Sequence, residues 1–297
     1  MNSRRLFLLL FFFLSSHHSI SAQVVEDETI DVWTRTSAKY WDNREVRKSF
    51  RTSVNLNAKA AKAYALFDSQ YRQKRFYKGY YLADLFEGLK RGENTDTMLL
   101  RFKNGMQIPI DLQNLQRNRT SLFLALSIKN SSGKWQRRFP KLRKPNILLK
   151  DPRPLQFMLN KVVVDDPKKV LNTSIRINPF RFADSLEAVE FIDDDAFMSQ
   201  YYVKGFQRGQ EVYGARCRFC HSVRGVGGSY GWDFVDPLPI YKKRGPQSLS
   251  LHVRYQKNAA LEHGLMMPQQ EISDRETEDL WKWLKAVSTK RLPSYRP

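Results

Sequence analysis

Cysteine is almost absent from this chain of 297 residues, which contains two, and acidic residues are few beside basic ones. A bridge between Cys217 and Cys220 would close too small a loop to stabilise a fold. Long apolar runs are missing as well: the run at residues 6–14 has nine members, whereas a membrane-spanning helix needs about 20. The sequence therefore predicts no membrane span in the mature chain and no disulfide that stabilises the fold.

The first 22 residues have the pattern of an export signal. Arg4 and Arg5 precede the apolar run, and a serine-rich stretch then leads to Ala22. Small residues at this point predict cleavage after Ala22, with an uncleaved anchor as the alternative. We therefore expect an exported protein, which in a bacterium would be periplasmic.

Basic residues outnumber acidic ones by 50 to 30, which gives a formal net charge of +20. Such a field favours acidic partners or an anionic membrane surface and raises the rate of encounter with them. Nucleic acid is the usual alternative for a basic protein, and the export signal argues against it. The stretch between residues 134 and 153 is especially basic, which suits either a docking surface or an exposed loop.

Both cysteines lie in one pentapeptide, Cys217-Arg218-Phe219-Cys220-His221. Two thiols separated by two residues, with a histidine directly after the second, are the attachment pattern for c-type haem. Each thiol can add to one vinyl group of the porphyrin, and the imidazole of His221 then comes up beneath the iron. The motif predicts one covalent haem c, with His221 as an iron ligand.

Other uses of the same residues remain possible. A thioredoxin-like thiol pair would call for a βαβ pattern around the motif, but the segment that follows is rich in glycine. A structural zinc site would need about four ligands, so two thiolates would have to be joined by two of His221, His252 and His263. A haem-free thiol oxidoreductase therefore stays as an alternative function.

Residues 196–290 resemble a small class I cytochrome c. Gly209, Tyr213 and Cys217 recur at four-residue intervals and so share one face of a helix. In that family, a glycine in the first helix lets the last helix cross closely, and an aromatic residue four positions later packs against it. Ser273 and Glu276 form the pattern of a capping box at the start of a last helix, which continues with an apolar stripe of Leu280, Trp283, Leu284 and Val287.

The resemblance implies further haem contacts. Met267 stands where the family has its sixth iron ligand, and the alternatives are Met266, His263 and His252. The family's proline segment, whose carbonyl accepts a hydrogen bond from the proximal imidazole, is matched to Pro237 in preference to Pro239. The candidates for hydrogen bonds to the haem propionates are Tyr230, Trp232, Tyr241 and Arg244. Gly225, Gly227 and Gly228 would let the chain pass close to the porphyrin.

Residues 54–192 predict alternating short strands and helices. Leu82, Leu85, Phe86 and Leu89 have the spacing of an amphipathic helix, and Asn104-Gly105 predicts a hairpin turn between two strands. This order, together with Asp68, residues 77–85, the hairpin and a closing stretch at 180–191, resembles the molybdopterin-binding domain of the sulfite-oxidase type. In that family a cysteine binds molybdenum, and this region has none. The resemblance thus implies a shortened relative without the metal.

The predicted organisation is a signal peptide (1–22), an N-terminal arm (23–53), an α+β domain (54–192), an all-α cytochrome c domain (196–290) and a tail (291–297). The predicted function is an exported monohaem electron carrier whose N-terminal domain is a docking or scaffold module. The expected partner is a redox protein with an acidic surface. A haem-bearing subunit of a periplasmic oxidoreductase complex is the alternative, and catalysis by this chain itself is left open.

Overall fold

A computed structural model describes residues 29–34, 50–56, 60–68, 73–137, 139–140, 157–158, 160–172, 174–255 and 271–290. The predicted export signal and the C-terminal tail lie outside the described residues.

The described elements fall into a strand-rich N-terminal region and a helical C-terminal region. In chain order, the strands are β1 (Thr29–Thr34), β2 (Phe50–Asn55), β3 (Lys62–Asp68), β4 (Gln73–Tyr81), β5 (Thr97–Phe102), β6 (Gln107–Asp111), β7 (Leu122–Lys129), β8 (Trp135–Gln136), β9 (Phe139–Pro140), β10 (Phe157–Met158), β11 (Lys161–Val164), β12 (Leu186–Ile192), β13 (Ser222–Val223) and β14 (Val226–Gly227). The helices are α1 (Leu82–Leu85), α2 (Leu112–Arg117), α3 (Asp194–Ser199), α4 (Gln207–Arg216), α5 (Ile240–Lys243), α6 (Pro246–Arg254) and α7 (Asp274–Thr289), with short 3-10 turns at Pro167–Lys169 and Pro179–Arg181.

The first of two larger sheets has the order β2-β1-β12-β5-β6. Strand β1 runs parallel to β12, and the other neighbours are antiparallel. Strand β1 and the first part of β2 lie in the predicted N-terminal arm, so part of that arm belongs to this sheet. The predicted hairpin is confirmed: Gly105, with a φ of 85°, occupies the turn between β5 and β6.

The second sheet has the order β11-β7-β4-β3, and the short strand β8 continues it by pairing with the end of β7. Buried side chains of both sheets belong to one apolar core, including Val32 and Ile108 from the first sheet and Leu124 and Val164 from the second. The two sheets therefore pack face to face, and with the short helices α1 and α2 they give the mixed α+β content that the sequence predicts.

One helix is shorter than its periodicity suggests. The apolar spacing predicts helix through Leu89, but α1 ends at Leu85. Phe86 leaves the helical conformation with a ψ of 10° while its N–H still bonds to Leu82 O, and Gly88 follows with a φ of 78°. The apolar side chains at 82, 85 and 86 still reach the core, so the pattern reports burial more faithfully than helix length.

A buried ion pair lies between β3 and β11. Lys161 Nζ is 2.9 Å from Asp68 Oδ2, with side-chain exposures of 3% and 1%. The Tyr77 hydroxyl donates to the same carboxylate at 2.5 Å. Burial lowers the pKa of Lys161, and the charge of Asp68 opposes this shift. The pairing explains how a charged residue can end an otherwise ordinary strand, because a buried charge needs a partner of opposite sign.

The C-terminal region has its own core, formed around α4 and α7 with residues from α3 and α6. Among the residues that the structure describes, no helix combines the length and the apolar character needed to cross a bilayer.

Candidate functional site

The pentapeptide 217–221 forms a tight turn at the end of α4. Cys217 caps the helix, and the N–H groups of Cys220 and His221 both bond to Cys217 O, at 3.1 and 2.9 Å. Arg218 N bonds back to Tyr213 O at 3.0 Å. These bonds wind the chain once between the two cysteines, and the motif is thereby fixed to the helix that precedes it.

Both cysteines are free thiols and both are buried. Burial raises the pKa of Cys217 to about 12, with a further increase from Cys220, and burial likewise raises the pKa of Cys220 to about 12. Each thiol is therefore protonated at neutral pH. A redox-active thiol pair requires the opposite shift, since the thiolate is the nucleophile, so the site does not support the haem-free thiol alternative.

The imidazole of His221 is held by a backbone carbonyl and an aromatic ring. Nδ1 lies 2.8 Å from Trp232 O, and the ring stacks on Phe234 with 4.4 Å between centroids and 18° between planes. Because a carbonyl can only accept, Nδ1 carries the proton and Nε2 keeps its lone pair. Burial lowers the pKa of His221, although the Trp232 bond opposes this. The result is a neutral imidazole whose Nε2 can bind a metal.

The prediction that Pro237 supplies this carbonyl is wrong. Gly231 N bonds to Cys220 O at 2.6 Å, which brings the next carbonyl, that of Trp232, alongside His221. Pro237 lies farther along and is exposed. The segment returns to the motif earlier than the family pattern suggests.

Three glycines allow this close return. A Cβ at Gly231 would lie 2.4 Å from His221 Cε1, one at Gly228 would lie 2.1 Å from Phe219 O, and one at Gly227 would lie 2.4 Å from His221 O. Gly227 and Gly228 were predicted to permit a close approach, and the groups they approach are the backbone of the motif itself. Gly231 was not singled out by the sequence.

Asp233 organises the same loop and was missed by the sequence analysis. Its carboxylate accepts bonds from Ser222 Oγ and Gly225 N at 2.7 Å each, from Val235 N at 2.7 Å and from Asp236 N at 2.9 Å. Burial raises the pKa of Asp233, but these donors outweigh it, so the pKa is lowered overall. Asp233 therefore fixes the loop in which the preceding residue, Trp232, presents its carbonyl to His221.

The predicted crossing of the first and last helices is confirmed. A Cβ at Gly209 of α4 would lie 2.2 Å from Asp279 O and 2.4 Å from Trp283 Cβ of α7. One turn later, the rings of Tyr213 and Trp283 pack with 5.1 Å between centroids. The Tyr213 hydroxyl also lies 2.9 Å from both His221 O and Val226 O, so this contact ties the helix pair to the motif.

The last helix also has the predicted start and face. Ser273 and Glu276 form a complete capping box, and the stripe of Leu280, Trp283, Leu284 and Val287 is buried. This stripe supplies much of the core beside the motif.

The remaining predicted contacts are scattered. Tyr230 packs partly buried against the core of the N-terminal region, whereas Trp232 exposes 74% of its surface and has Lys243 5.2 Å from its ring centroid. Arg244 O accepts a bond from Trp281 Nε1 at 2.8 Å, and Tyr241 packs edge-on against the same indole.

The alternative iron ligand His252 lies on α6. Burial lowers its pKa, and the positive charge of Arg244 lowers it further. Met266, Met267 and His263 lie outside the described residues. Within the described ranges, no group of three or more His, Cys, Asp or Glu side chains is placed to hold a metal ion, so the zinc alternative gains no support.

Phe219 and Cys220 connect the motif to the N-terminal region. Phe219 is fully buried and belongs, with Cys220, to the core formed by the two large sheets. Phe219 O accepts a bond from Gln107 N at 3.0 Å, and Ser229 N donates to Gly105 O at 2.7 Å. The β5–β6 hairpin thus covers the Cys220 side of the motif.

These features define a haem-attachment site on a small helical domain: two neutral thiols on one turn and a neutral imidazole fixed through Nδ1. The residues present fit a covalent haem, since both thiols are free and Nε2 is available. Residues 206–288 match the family model for cytochrome c. This part of the chain is a c-type cytochrome domain, its cofactor is covalently bound haem c, and the domain is a haem-based electron carrier. No curated protein and no solved structure matches the chain.

Proposed function

We propose that this protein is an exported monohaem cytochrome c in which Cys217 and Cys220 would hold the haem through two thioether bonds and His221 Nε2 would bind its iron. The observation that carries this assignment is the 2.8 Å contact between His221 Nδ1 and Trp232 O, which fixes the tautomer and leaves Nε2 for iron. When bound, the haem supplies an iron that gains and loses one electron.

The surrounding residues orient the imidazole. The carbonyl of Trp232 makes the ring more electron-rich by accepting its proton in a hydrogen bond, and stacking on Phe234 holds its plane. Asp233 holds the loop that presents the carbonyl. A more basic proximal imidazole favours the ferric state and so lowers the reduction potential.

Met267 is the proposed sixth ligand, followed by Met266, His263 and His252. Methionine would raise the reduction potential and a second histidine would lower it. Tyr230, Trp232 and Arg244 stay predicted contacts of the propionates. For Trp232 this role concerns the side chain, separately from its carbonyl.

The N-terminal domain is proposed to be a scaffold for the haem domain and a shortened relative of the sulfite-oxidase type, with residues 54–192 and 196–290 as the two domains. Its close contact with the motif supports a scaffold role. The net charge of +20 supports an acidic redox partner, and association should weaken with salt because exposed charges are screened over about 8 Å at physiological ionic strength. Export to the periplasm belongs to the same proposal.

A second candidate is a haem-bearing subunit of a periplasmic oxidoreductase complex. The observation that favours it is the N-terminal region, whose described residues form two packed sheets that haem attachment itself does not require. Purification of the untagged protein from its native source, with any chains bound to it, would distinguish the two candidates. A stoichiometric catalytic chain would support the complex, and a monodisperse single chain would support the free carrier.

The central test is haem staining after denaturing electrophoresis, followed by spectra of the oxidised and reduced protein. A stained band requires covalent haem, and its loss in Cys217→Ser/Cys220→Ser would locate the attachment. Absence of stain in the exported wild-type protein would overturn the proposal.

The sixth ligand is tested with two adjacent variants. Met267→Ala should abolish the weak red absorption of methionine-ligated ferric haem, whereas Met266→Ala should preserve it. The reverse result would assign Met266, and absence of this absorption from the wild-type protein would assign a histidine or an open sixth site.

A further inference from the structure

A surface of three aromatic and three lysine side chains lies on one face of the second sheet. The strand register places Phe67 opposite Lys74, and Phe76 and Lys78 follow at two-residue intervals on the same face of β4. Lys129 of β7 lies above the Phe76 ring, 5.7 Å from its centroid. Trp135 of β8 is paired directly with Lys129. We call these six residues the β3–β8 surface.

The β3–β8 surface is exposed although its aromatic members are large. Phe76 exposes 55%, Trp135 42% and Phe67 39% of their surfaces, and the three lysines are exposed as well. Further along the same face, the side chains of Tyr80 and Leu124 are buried in the core. The apolar character of this face therefore continues beyond the part that the first sheet covers, and large exposed apolar groups clustered in this way mark an interaction site.

Negative charge is absent from this part of the chain. Residues 69–83 and 112–150 contain no Asp or Glu. Asp68 is the acidic residue of β3, and it lies on the opposite face, buried against Lys161. The lysines of the β3–β8 surface therefore present uncompensated positive charge on their own strands, and the complementary occupant is anionic.

The combination of lysine with aromatic residues favours a lipid surface over a protein. Lysine is depleted at protein–protein interfaces, where arginine is the preferred cation, whereas lysines beside exposed aromatic rings are typical of peripheral binding to anionic bilayers. The strand register places all six side chains on the same side of the sheet, the side away from the buried Asp68–Lys161 pair.

We propose that the β3–β8 surface binds the protein to anionic lipid bilayers by insertion of its aromatic rings between head groups and by attraction of its lysines to lipid phosphates. The haem domain would then move along the membrane surface, held there by the N-terminal domain. This function is separate from haem attachment, so the two proposals fail independently.

The test is co-sedimentation of the full-length, haem-loaded protein with vesicles of phosphatidylcholine alone or mixed with phosphatidylglycerol. We expect binding to the mixed vesicles alone, weakened by salt. Lys74→Gln/Lys78→Gln should lower the binding constant about 25-fold, since each lysine contributes about fivefold. Phe76→Ser should lower the binding constant about tenfold. At high salt, where the attraction of the lysines is screened, the loss of this ring should account for a larger share of the lost affinity.

The matched control is Lys168→Gln/Lys169→Gln. These two lysines are exposed in the same domain and follow β11, at the opposite edge of the second sheet, so the net charge changes equally. The control should bind like the wild type, and circular dichroism should show that all variants are folded.

Three results would overturn the proposal. The wild type could fail to sediment with the mixed vesicles, or the control could lose as much affinity as Lys74→Gln/Lys78→Gln, which would reduce the effect to net charge. Alternatively, the variants could lose binding to immobilised polyglutamate and keep vesicle binding, which would assign the surface to an acidic protein.

Discussion

Arg218 and Asp194 form a two-point ion pair that joins the haem-attachment turn to helix α3. Arg218 Nη1 is 3.0 Å from Asp194 Oδ2, and Nη2 is 2.7 Å from Oδ1. The arginine side chain is 9% exposed and the aspartate 22%. Burial lowers the pKa of Arg218, but the charge and hydrogen bonds of Asp194 outweigh this and raise it. Arg218, the first of the two residues between the cysteines, therefore anchors the haem-attachment turn to α3.

Removing the aspartate should leave this guanidinium without its partner. We expect Asp194→Asn to lower the free energy of unfolding by about 3 kcal/mol, the lower end of the range for a broken buried pair, because Asp194 keeps some contact with water. Denaturant unfolding of the haem-loaded protein measures this. Asp195→Asn, next to it and exposed, should change the value by less than about 0.5 kcal/mol. Equal losses would show that the pair contributes nothing specific.

The crossing of α4 and α7 can be tested with two glycines of one helix. Gly209→Ala places a methyl group 2.2 Å from Asp279 O and should destabilise the protein by about 1–3 kcal/mol. Gly214→Ala meets nothing within 4 Å and should stabilise it by up to about 1 kcal/mol through helix propensity. Thermal unfolding of both variants should move in opposite directions, and a Gly209→Ala protein as stable as the wild type would contradict the close crossing.

Gly231 determines how closely the loop approaches His221. In Gly231→Ala the new methyl group would lie 2.4 Å from Cε1 and 2.6 Å from Nδ1, so the imidazole must shift and its bond to Trp232 O must lengthen. Haem staining should persist, while the reduction potential and the electron paramagnetic resonance spectrum of the ferric protein should change. Gly245→Ala has nothing within 4 Å and should leave both unchanged. An unaltered spectrum in Gly231→Ala would contradict the proposed role of the Trp232 carbonyl.

Asp233 should make stability depend on pH at the acid end. Its pKa is lowered from the ordinary value of 3.8, so the carboxylate stabilises the folded state above that value, and this contribution is lost as pH falls through the lower, folded-state pKa. At neutral pH, Asp233→Asn should lower the free energy of unfolding by about 2 kcal/mol. The difference from the wild type should stay constant above pH ~5 and shrink below pH ~4.

Denaturant unfolding between pH 3 and 7 checks this prediction, with Asp236→Asn as the control. Asp236 is exposed and joins the network through its backbone N–H, which the substitution keeps. A difference between wild type and Asp233→Asn that is the same at every pH would exclude the ionised carboxylate as the source.

Local patterns predicted the elements that local bonds create. The capping box at Ser273 and the turn at Gly105 each rest on neighbours within a few residues, and the sequence placed both correctly. The crossing at Gly209 was also foreseen, because the resemblance to class I cytochrome c implies a glycine of the first helix at this contact.

Contacts between distant loops could not be read in the same way. The proximal carbonyl belongs to Trp232 because Gly231 docks on Cys220, and a backbone carbonyl has no signature in the residue type. Asp233 has no distinguishing feature in the sequence, because its hydrogen-bond donors come together only in the folded loop. For the same reason the sequence noted Asp68 but not its pairing with Lys161, which depends on the approach of β11 to β3.

Phe219 belongs to the apolar core of the two large sheets, although the last strand of those sheets ends at Ile192. A chain synthesised from its amino end therefore carries an unfilled apolar recess until the haem-attachment turn has emerged and taken its place. A fragment that stopped at Asp193 would expose that recess to water, with the aggregation risk that unpaired apolar surface brings. Phe219 and Cys220 thus carry the N-terminal core across the boundary that composition suggests at residues 193–195, while the helical region also has a core of its own.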